Sequence, residues 1–128
     1  MTKIVMTVDD AATMRKMVGF TLRGGGYDVL EACDGNDALA QLAQRRVDLV
    51  ITDVNMPGMN GIDLVRHLRA LPHLRTTPIL LLTTESDAEA KNRARQAGAT
   101  GWIVKPFVPG QLLAAVARVV QSPVAPVA

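Results

Sequence analysis

Five polar side chains stand where apolar runs of this sequence stop. Asp9 and Asp10 follow Ile4 to Val8, and Asp53 closes the run that starts at Leu49-Val50-Ile51. Thr83 follows Ile79-Leu80-Leu81-Leu82, and Lys105 follows Trp102-Ile103-Val104. Three carboxylates gathered in one place repel one another, and a hard divalent cation with a preference for oxygen relieves that repulsion. Mg²⁺ suits such a set, because it takes one or two carboxylates, keeps water, and completes its octahedron with phosphate oxygens. The Lys105 ammonium and the Thr83 hydroxyl add a point charge and a hydrogen bond for a phosphoryl group. A carboxylate that attacks phosphorus becomes an aspartyl phosphate, and Asp53 is the candidate nucleophile.

Taken singly, each residue has a plainer reading. An aspartate at a strand end ordinarily caps a helix or closes a turn. Thr83 and Thr84 read equally well as a cap for the next helix, and Lys105 before Pro106 as a solvated loop residue. Their joint placement carries the chemistry. In an open parallel sheet every strand C-terminus lies along one edge, and ligands bind there. Residues far apart in sequence then meet at one site, with Asp53 on the central strand.

The elements needed for such an edge are present in the pattern. Continuous aliphatic runs mark strands buried on both faces, as in a parallel sheet covered by helices. The five runs are Ile4 to Val8, Tyr27 to Ala32 (weaker and alternating), Leu49 to Ile51, Ile79 to Leu82, and Trp102 to Val104. Amphipathic stretches separate them. Met14, Met17, Val18 and Thr21 share one face of the first, which Gly24-Gly25-Gly26 stops. Ala38, Leu39 and Leu42 serve the second. Ile62, Val65 and Leu68 serve the third, with Pro72 as its end. Ala90, Ala94 and Ala97 give the fourth only a thin stripe, so it is the helix expected to move most. Leu112, Leu113, Val116, Val119 and Val120 give the last a strong face. The expected fold is α/β, a single doubly wound domain with a five-stranded parallel sheet flanked by five helices and joined by right-handed crossovers. It spans residues 1–121. Residues 122–128, with two prolines and no helical pattern, read as a flexible tail or the start of a linker.

Bulk properties narrow the classes. A length of 128 residues suits one domain, and 48% hydrophobic residues with only 3% aromatic imply an aliphatic core. A net charge of +2 with no basic run argues against a nucleic-acid grip. One cysteine, Cys33, forms no internal disulfide and reads as a small packing residue in a cytoplasmic protein. No apolar run approaches the ~20 residues of a membrane span. His67 and His73 have no partner at metal-ligand spacing and read as solvated. Lys91, Arg93 and Arg95 read as a solvated helix face.

Four segments together are recognisable: Val8-Asp9-Asp10, Thr52 to Gly61 (TDVNMPGMNG), Leu82-Thr83-Thr84, and Lys105-Pro106-Phe107. Their order, spacing and strand context resemble the receiver domains of two-component response regulators, over Lys3 to about Gln121. The look is that of stand-alone chemotaxis regulators of the CheY type, and the flavodoxin-like strand order 2-1-3-4-5 known for CheY is implied by that resemblance. The resemblance implies that Asp53 accepts the phosphoryl group. Asp10 and Asp53 would ligate Mg²⁺ directly, Asp9 through water, and Asn55 through its backbone carbonyl. Lys105 would pair with Asp53 and then with phosphoryl oxygens, Thr83 would swing toward them, and the peptide before Pro106 would be cis. Asn55 and Glu85 occupy the two positions that tune phosphate lifetime in this family, and this polar pair implies a relatively short one.

Trp102 departs from the family pattern, standing where Tyr or Phe is usual. It reads either as a packing residue or as a bulkier switch ring that turns inward on activation. Thr84, where Ala or Ser is common, would crowd that motion. The resemblance implies a histidine kinase or a histidine-phosphotransfer protein as donor, and a downstream target that meets the fourth helix, fifth strand and fifth helix. A flagellar motor switch is the leading target. A phosphatase partner, a monomeric state and no direct nucleic-acid or membrane contact complete the expectation. A receiver in another phosphorelay, or one belonging to a larger transcriptional regulator, is the open alternative. A phosphatase of the haloacid dehalogenase type would need an acid where Asn55 stands. A flavin or nucleotide carrier would need a phosphate-binding loop where Asp9-Asp10-Ala11-Ala12 stands.

Overall fold

The hydrophobic runs form strands and the periodic segments form helices, in strict alternation. In the computed structural model, which describes residues 2–84 and 88–121, the order is β1 (Ile4–Val8), α1 (Ala12–Gly24), β2 (Asp28–Ala32), α2 (Gly35–Leu42), β3 (Leu49–Asp53) and α3 (Gly61–Arg69). A short 3-10 helix (Pro72–Leu74) leads to β4 (Ile79–Thr83), α4 (Ala88–Ala97), β5 (Gly101–Val104) and α5 (Pro109–Gln121). All strand pairs are parallel and the sheet order is β2-β1-β3-β4-β5. Glu85 and the 122–128 segment lie outside the described residues.

Alternate residues of each central strand feed two separate cores, which is why their sequences are continuously apolar. Val5, Leu49, Ile51, Leu80 and Leu82 meet Val18 and Leu22 of α1 and Leu112, Val116 and Val120 of α5. Met6, Val8, Val50, Ile79 and Leu81 face the other way, onto Ala38 and Leu42 of α2, the apolar face of α3, and Ala94 and Ala97 of α4. At about 1.5–3 kcal/mol per fully buried large aliphatic side chain, these two layers are what hold the edge residues in register.

Several details depart from the sequence reading. Of the expected face of α1, Val18 is buried beside Leu22 and Met14 packs half-buried against the same core, but Met17 is 51% exposed, as is Phe20 at 80%. Gly19 of the same helix faces Val29 and Glu31 of β2. The second strand begins at Asp28, not Tyr27. Helix α3 stops at Arg69, and Pro72 opens the 3-10 turn instead of ending the helix. His73 is not solvated: its Nε2–H donates to the Leu42 carbonyl at 2.7 Å. Cys33 is exposed rather than part of either core, and its backbone N–H donates to Asp37. The triple glycine does terminate α1, with Gly26 at φ +94°.

Candidate phosphoacceptor and metal site

Asp53 is the last residue of β3, the middle strand, and is only 5% exposed. Its neighbours fix its backbone on both sides. Thr52 pairs with Val8 of β1 and Asp53 with Leu82 of β4. The turn that follows is held by Val54 N–H donating to the Leu82 carbonyl at 3.3 Å and Gly61 N–H donating to the Val54 carbonyl at 2.8 Å. Gly61 is required there: a Cβ at that position would lie 2.1 Å from the Asp53 carbonyl oxygen. Asn60 caps α3 by accepting from Asp63 N–H at 2.8 Å, and Gly58 turns the loop at φ +75°. Asn55 rides this loop, exposed, two residues beyond Asp53.

Asp9 leaves β1 with its carboxylate buried and accepts a hydrogen bond from Ala11 N–H at 2.9 Å, which fixes the turn leading into α1. Its carbonyl accepts from Arg15 Nη1 at 2.7 Å, and Arg15 Nε is held by Glu31 at 3.1 Å. Asp10, the next residue, is exposed. One carboxylate oxygen from each of Asp9, Asp10 and Asp53 lies within 4.8 Å of the others.

Lys105 closes the group from β5. Its ammonium donates to Asp53 Oδ1 at 2.9 Å and lies 3.9 Å from Asp9 Oδ2. Its backbone N–H donates to the Thr83 carbonyl at 2.7 Å, and the peptide to Pro106 is cis. Thr83, fully buried, ends β4 between the strands that carry Asp53 and Lys105. The strand ends thus bring Asp9, Asp10, Asp53 and Lys105 together, with Thr83 beside them. Trp102, on β5, packs half-buried against the α2-α3-α4 core.

Three carboxylates against one ammonium leave an excess of negative charge. Burial above all, then the charges of Asp53 and Asp10, push the Asp9 carboxyl above its usual range, against the Ala11 N–H and Lys105. The donor set is all oxygen, two groups sheltered and one open to solvent. That chemistry fits a hard cation which retains some water.

The receiver domain profile of response regulators matches residues 5–117. This chain belongs to the response regulator receiver family. Receivers are phosphorylation-activated switches of two-component signalling; they work with a histidine kinase and downstream targets, generally require Mg²⁺, and are not enzymes in the ordinary sense. Chemotaxis protein CheY-3 of Vibrio cholerae is 45% identical over 109 residues, which cover 84% of this chain and 84% of the relative. The DNA-binding response regulator MtrA of Mycobacterium tuberculosis is 40% identical over 112 residues, covering 88% of this chain but 48% of MtrA. Among solved structures, Vibrio cholerae CheY4 superposes with a TM-score of 0.90 at 45% identity, covering 93% of this receiver and 99% of that chain.

Three supports of the receiver site escaped the sequence reading. Arg15 braces Asp9 from the next helix turn, Gly61 makes room for the Asp53 carbonyl, and Arg69 ties α3 to the turn before β5. Arg69 donates to the Gly98 carbonyl at 2.9 and 3.0 Å and to the Leu74 and Thr77 carbonyls at 2.8 and 2.6 Å. The Asn60-to-Asp63 spacing carried a visible cap signal; the arginine contacts reach backbone carbonyls and a carboxylate 5 to 29 residues away and had none. Among the described residues no helix is long and apolar enough to cross a membrane.

Proposed function

We propose that Asp53 is the phosphoacceptor of a stand-alone chemotaxis-type regulator in the cytoplasm. The observation that carries this is the Lys105 ammonium 2.9 Å from Asp53 Oδ1, with the Asp9 and Asp10 carboxylates closing the other side. An Asp53 oxygen attacks the phosphorus of a phosphohistidine or a small acyl phosphate. The P–O bond to Asp53 forms as the bond to the donor breaks, and the donor leaves with the electron pair. Asp10 and Asp53 would hold Mg²⁺ directly, Asp9 through water and Asn55 through its carbonyl; the bound ion supplies positive charge to the phosphoryl oxygens. Lys105 neutralises the charge that builds on them, and the Thr83 hydroxyl donates to one. The chain thereby catalyses its own phosphorylation and, with water as nucleophile, its own dephosphorylation. Asn55 and Glu85 set a short phosphate lifetime. The new dianion favours one of two pre-existing arrangements of the α4, β5 and α5 face, where a downstream protein such as a flagellar motor switch binds.

The relatives named for chemotaxis, matched over most of their length, favour this output. A second reading, a receiver that serves a transcriptional regulator, is favoured by the 40% identity to a DNA-binding regulator. Incubation with acetyl phosphate and Mg²⁺ tests the chemistry. Wild type should gain one base-labile phosphoryl group by intact mass, and Asp53→Asn none while keeping its circular dichroism. Full labelling of the folded variant would place the acceptor elsewhere. Pull-down by a motor switch protein that depends on phosphorylation separates the two outputs.

A further inference from the structure

The strands begin at the sheet edge opposite the carboxylates, about 17 Å away along β3 at ~3.3 Å per residue. Charge is divided between the two edges. Asp9, Asp10, Asp34, Asp37, Asp53 and Asp63 stand at strand ends, helix caps or first helical turns, all on the phosphoacceptor side. On the far side Lys3 leads into β1, Arg45 and Arg46 into β3, and Arg75 into β4. These three strands are neighbours in the sheet, ~4.8 Å apart, so the four cations form one row. Backbone bonds hold their carriers together. Asp48 N–H donates to the Ile4 carbonyl at 2.8 Å and Val50 N–H to the Pro78 carbonyl at 3.1 Å. The bond from His73 to the Leu42 carbonyl, at 2.7 Å, draws the segment of Arg75 against the end of α2, from which Arg45 and Arg46 follow.

None of the four is occupied inside the fold. All are exposed, and none makes an ion pair among the described residues, whereas Arg15, Lys16, Arg23, Arg66, Arg93 and Lys105 each have a carboxylate. Basic residues often answer the dipole at a helix C-terminus, but that effect fades within the last turn. Arg45 and Arg46 lie past the end of α2 at Leu42, and Lys3 belongs to no helix. Of the acids at this edge, Asp48 is engaged by Ile4 N–H at 2.8 Å, and Asp28 sits at the outer strand β2. The expectation of no nucleic-acid contact rested on the lack of a basic run; here three separate segments supply a basic row.

The row has no apolar centre. The exposed large apolar side chains Met17, Phe20, Val104 and Val108 lie on α1, at the end of β5 and before α5. A protein interface takes its energy from buried aromatic or aliphatic anchors, and a single nucleic-acid strand stacks its bases on rings. The backbone of a duplex needs neither, because arginine, lysine and small polar groups suffice for phosphates. The arginine fork matches phosphate oxygens two at a time, and exposed Gln44 and Thr76 adjoin the arginines.

We propose that this edge binds a nucleic-acid duplex through its phosphate backbone, without regard to base sequence. The acidic edge repels a polyanion and the basic edge attracts it, which fixes the orientation. Asp53 and the α4, β5 and α5 face point away from the duplex, so the chain can be held there and still meet its phosphodonor.

The test is fluorescence anisotropy of the full chain with a labelled mixed-sequence duplex of about 20 base pairs. Four phosphate contacts give a slope of about −3.5 for log K against log salt, a loss of about 10²-fold from 50 to 200 mM. Arg45→Gln/Arg46→Gln should weaken binding at low salt by about 10²-fold and reduce the slope by about 2. Lys91→Gln/Arg118→Gln removes the same charge from another face and should change affinity by less than about threefold. Melting temperature and phosphoryl uptake at Asp53 should match wild type in both variants. Beryllofluoride, compared at constant Mg²⁺, adds charge about two Debye lengths away and should leave affinity unaltered. A wild type that ignores the duplex at low salt overturns the proposal. Equal weakening in the two double variants does so too, because net charge and not this edge would then be responsible. Polyglutamate that competes as well as the duplex, charge for charge, would assign the row to an acidic protein instead. Tighter binding to phosphatidylserine vesicles would assign it to a membrane. A duplex affinity that shifts with beryllofluoride would place the contact near Asp53. Each of these three results overturns the proposal, and none of them bears on phosphorylation of Asp53.

Discussion

Lys105 Nζ reaches Asp53 Oδ1 at 2.9 Å from a strand two places away in the sheet, with β4 between them. The ammonium occupies space that a phosphoryl oxygen would use, and it repels any cation held by the same carboxylates. Lys105→Met should thus have two opposite effects. Mg²⁺ affinity should rise, because a like charge has gone. Phosphorylation by acetyl phosphate should slow by about 10²-fold, the usual loss when one charge-stabilising donor is removed. Fluorescence titration with Mg²⁺ and timed mass spectrometry check both. A fall in Mg²⁺ affinity together with an unchanged rate would show that Lys105 only props up the fold.

On the proposed Mg²⁺ site, Asp9 would connect pH to the metal. Burial first, and then Asp53 and Asp10, raise its carboxyl above an aspartate's ordinary 3.8. The folded chain therefore binds that proton more tightly than the unfolded chain. Ionising Asp9 costs stability as pH rises from about 3.8 through the raised folded value, and the cost persists above it. Asp9→Asn keeps an oxygen for Ala11 N–H and removes the charge. Without divalent cation at neutral pH it should melt about 3 °C higher than wild type. That advantage should vanish below about pH 3.8. Mg²⁺ binding needs the ionised form, so wild-type affinity should fall on acidification at a higher pH than an ordinary aspartate would give. Calorimetric melting and Mg²⁺ titration across pH test this. A variant less stable than wild type without metal would contradict it.

Gly61 is the tightest steric point of the site. A methyl group there meets the Asp53 carbonyl oxygen at 2.1 Å, which is backbone and cannot rotate away. Gly61→Ala should cost about 3 kcal/mol by overpacking. It should also displace the loop that carries Asn55, so phosphorylation should fall even at temperatures where the variant is folded. Urea unfolding and acetyl phosphate labelling at low temperature separate the two effects. Wild-type stability in Gly61→Ala would mean that the loop gives way freely.

Much of this arrangement was legible beforehand. Continuous runs such as Ile79 to Leu82 identify strands covered on both faces, and a polar residue closing each run marks the ligand edge. That logic places Asp9, Asp10, Asp53, Thr83 and Lys105 together without coordinates. The exposure of Met17 was not legible, because Met17 and Val18 are apolar neighbours on α1 and only tertiary packing chooses between them. His73 and Arg69 were missed for a related reason. Both satisfy backbone carbonyls of distant segments, and no local pattern announces such a bond.

Glu31 shows how a surface-facing cluster braces the site from behind. Burial alone would raise its pKa, but hydrogen bonds from Lys16 and Arg15 outweigh that and hold it below a glutamate's ordinary 4.5. Its contribution to stability is complete above about pH 4.5 and is lost as pH falls through the depressed folded value. Lys16 is largely exposed, so the buried share of the effect belongs to Arg15. Glu31→Gln should cost about 1 kcal/mol at neutral pH, and the gap to wild type should close on acidification. Arg15 keeps its second anchor, the Asp9 carbonyl at 2.7 Å, so Asp53 should still accept a phosphoryl group. Urea unfolding at several pH values, with labelling on the same variant, measures both. A stability gap that stays constant down to pH 3 would show that the cluster contributes packing and no charge.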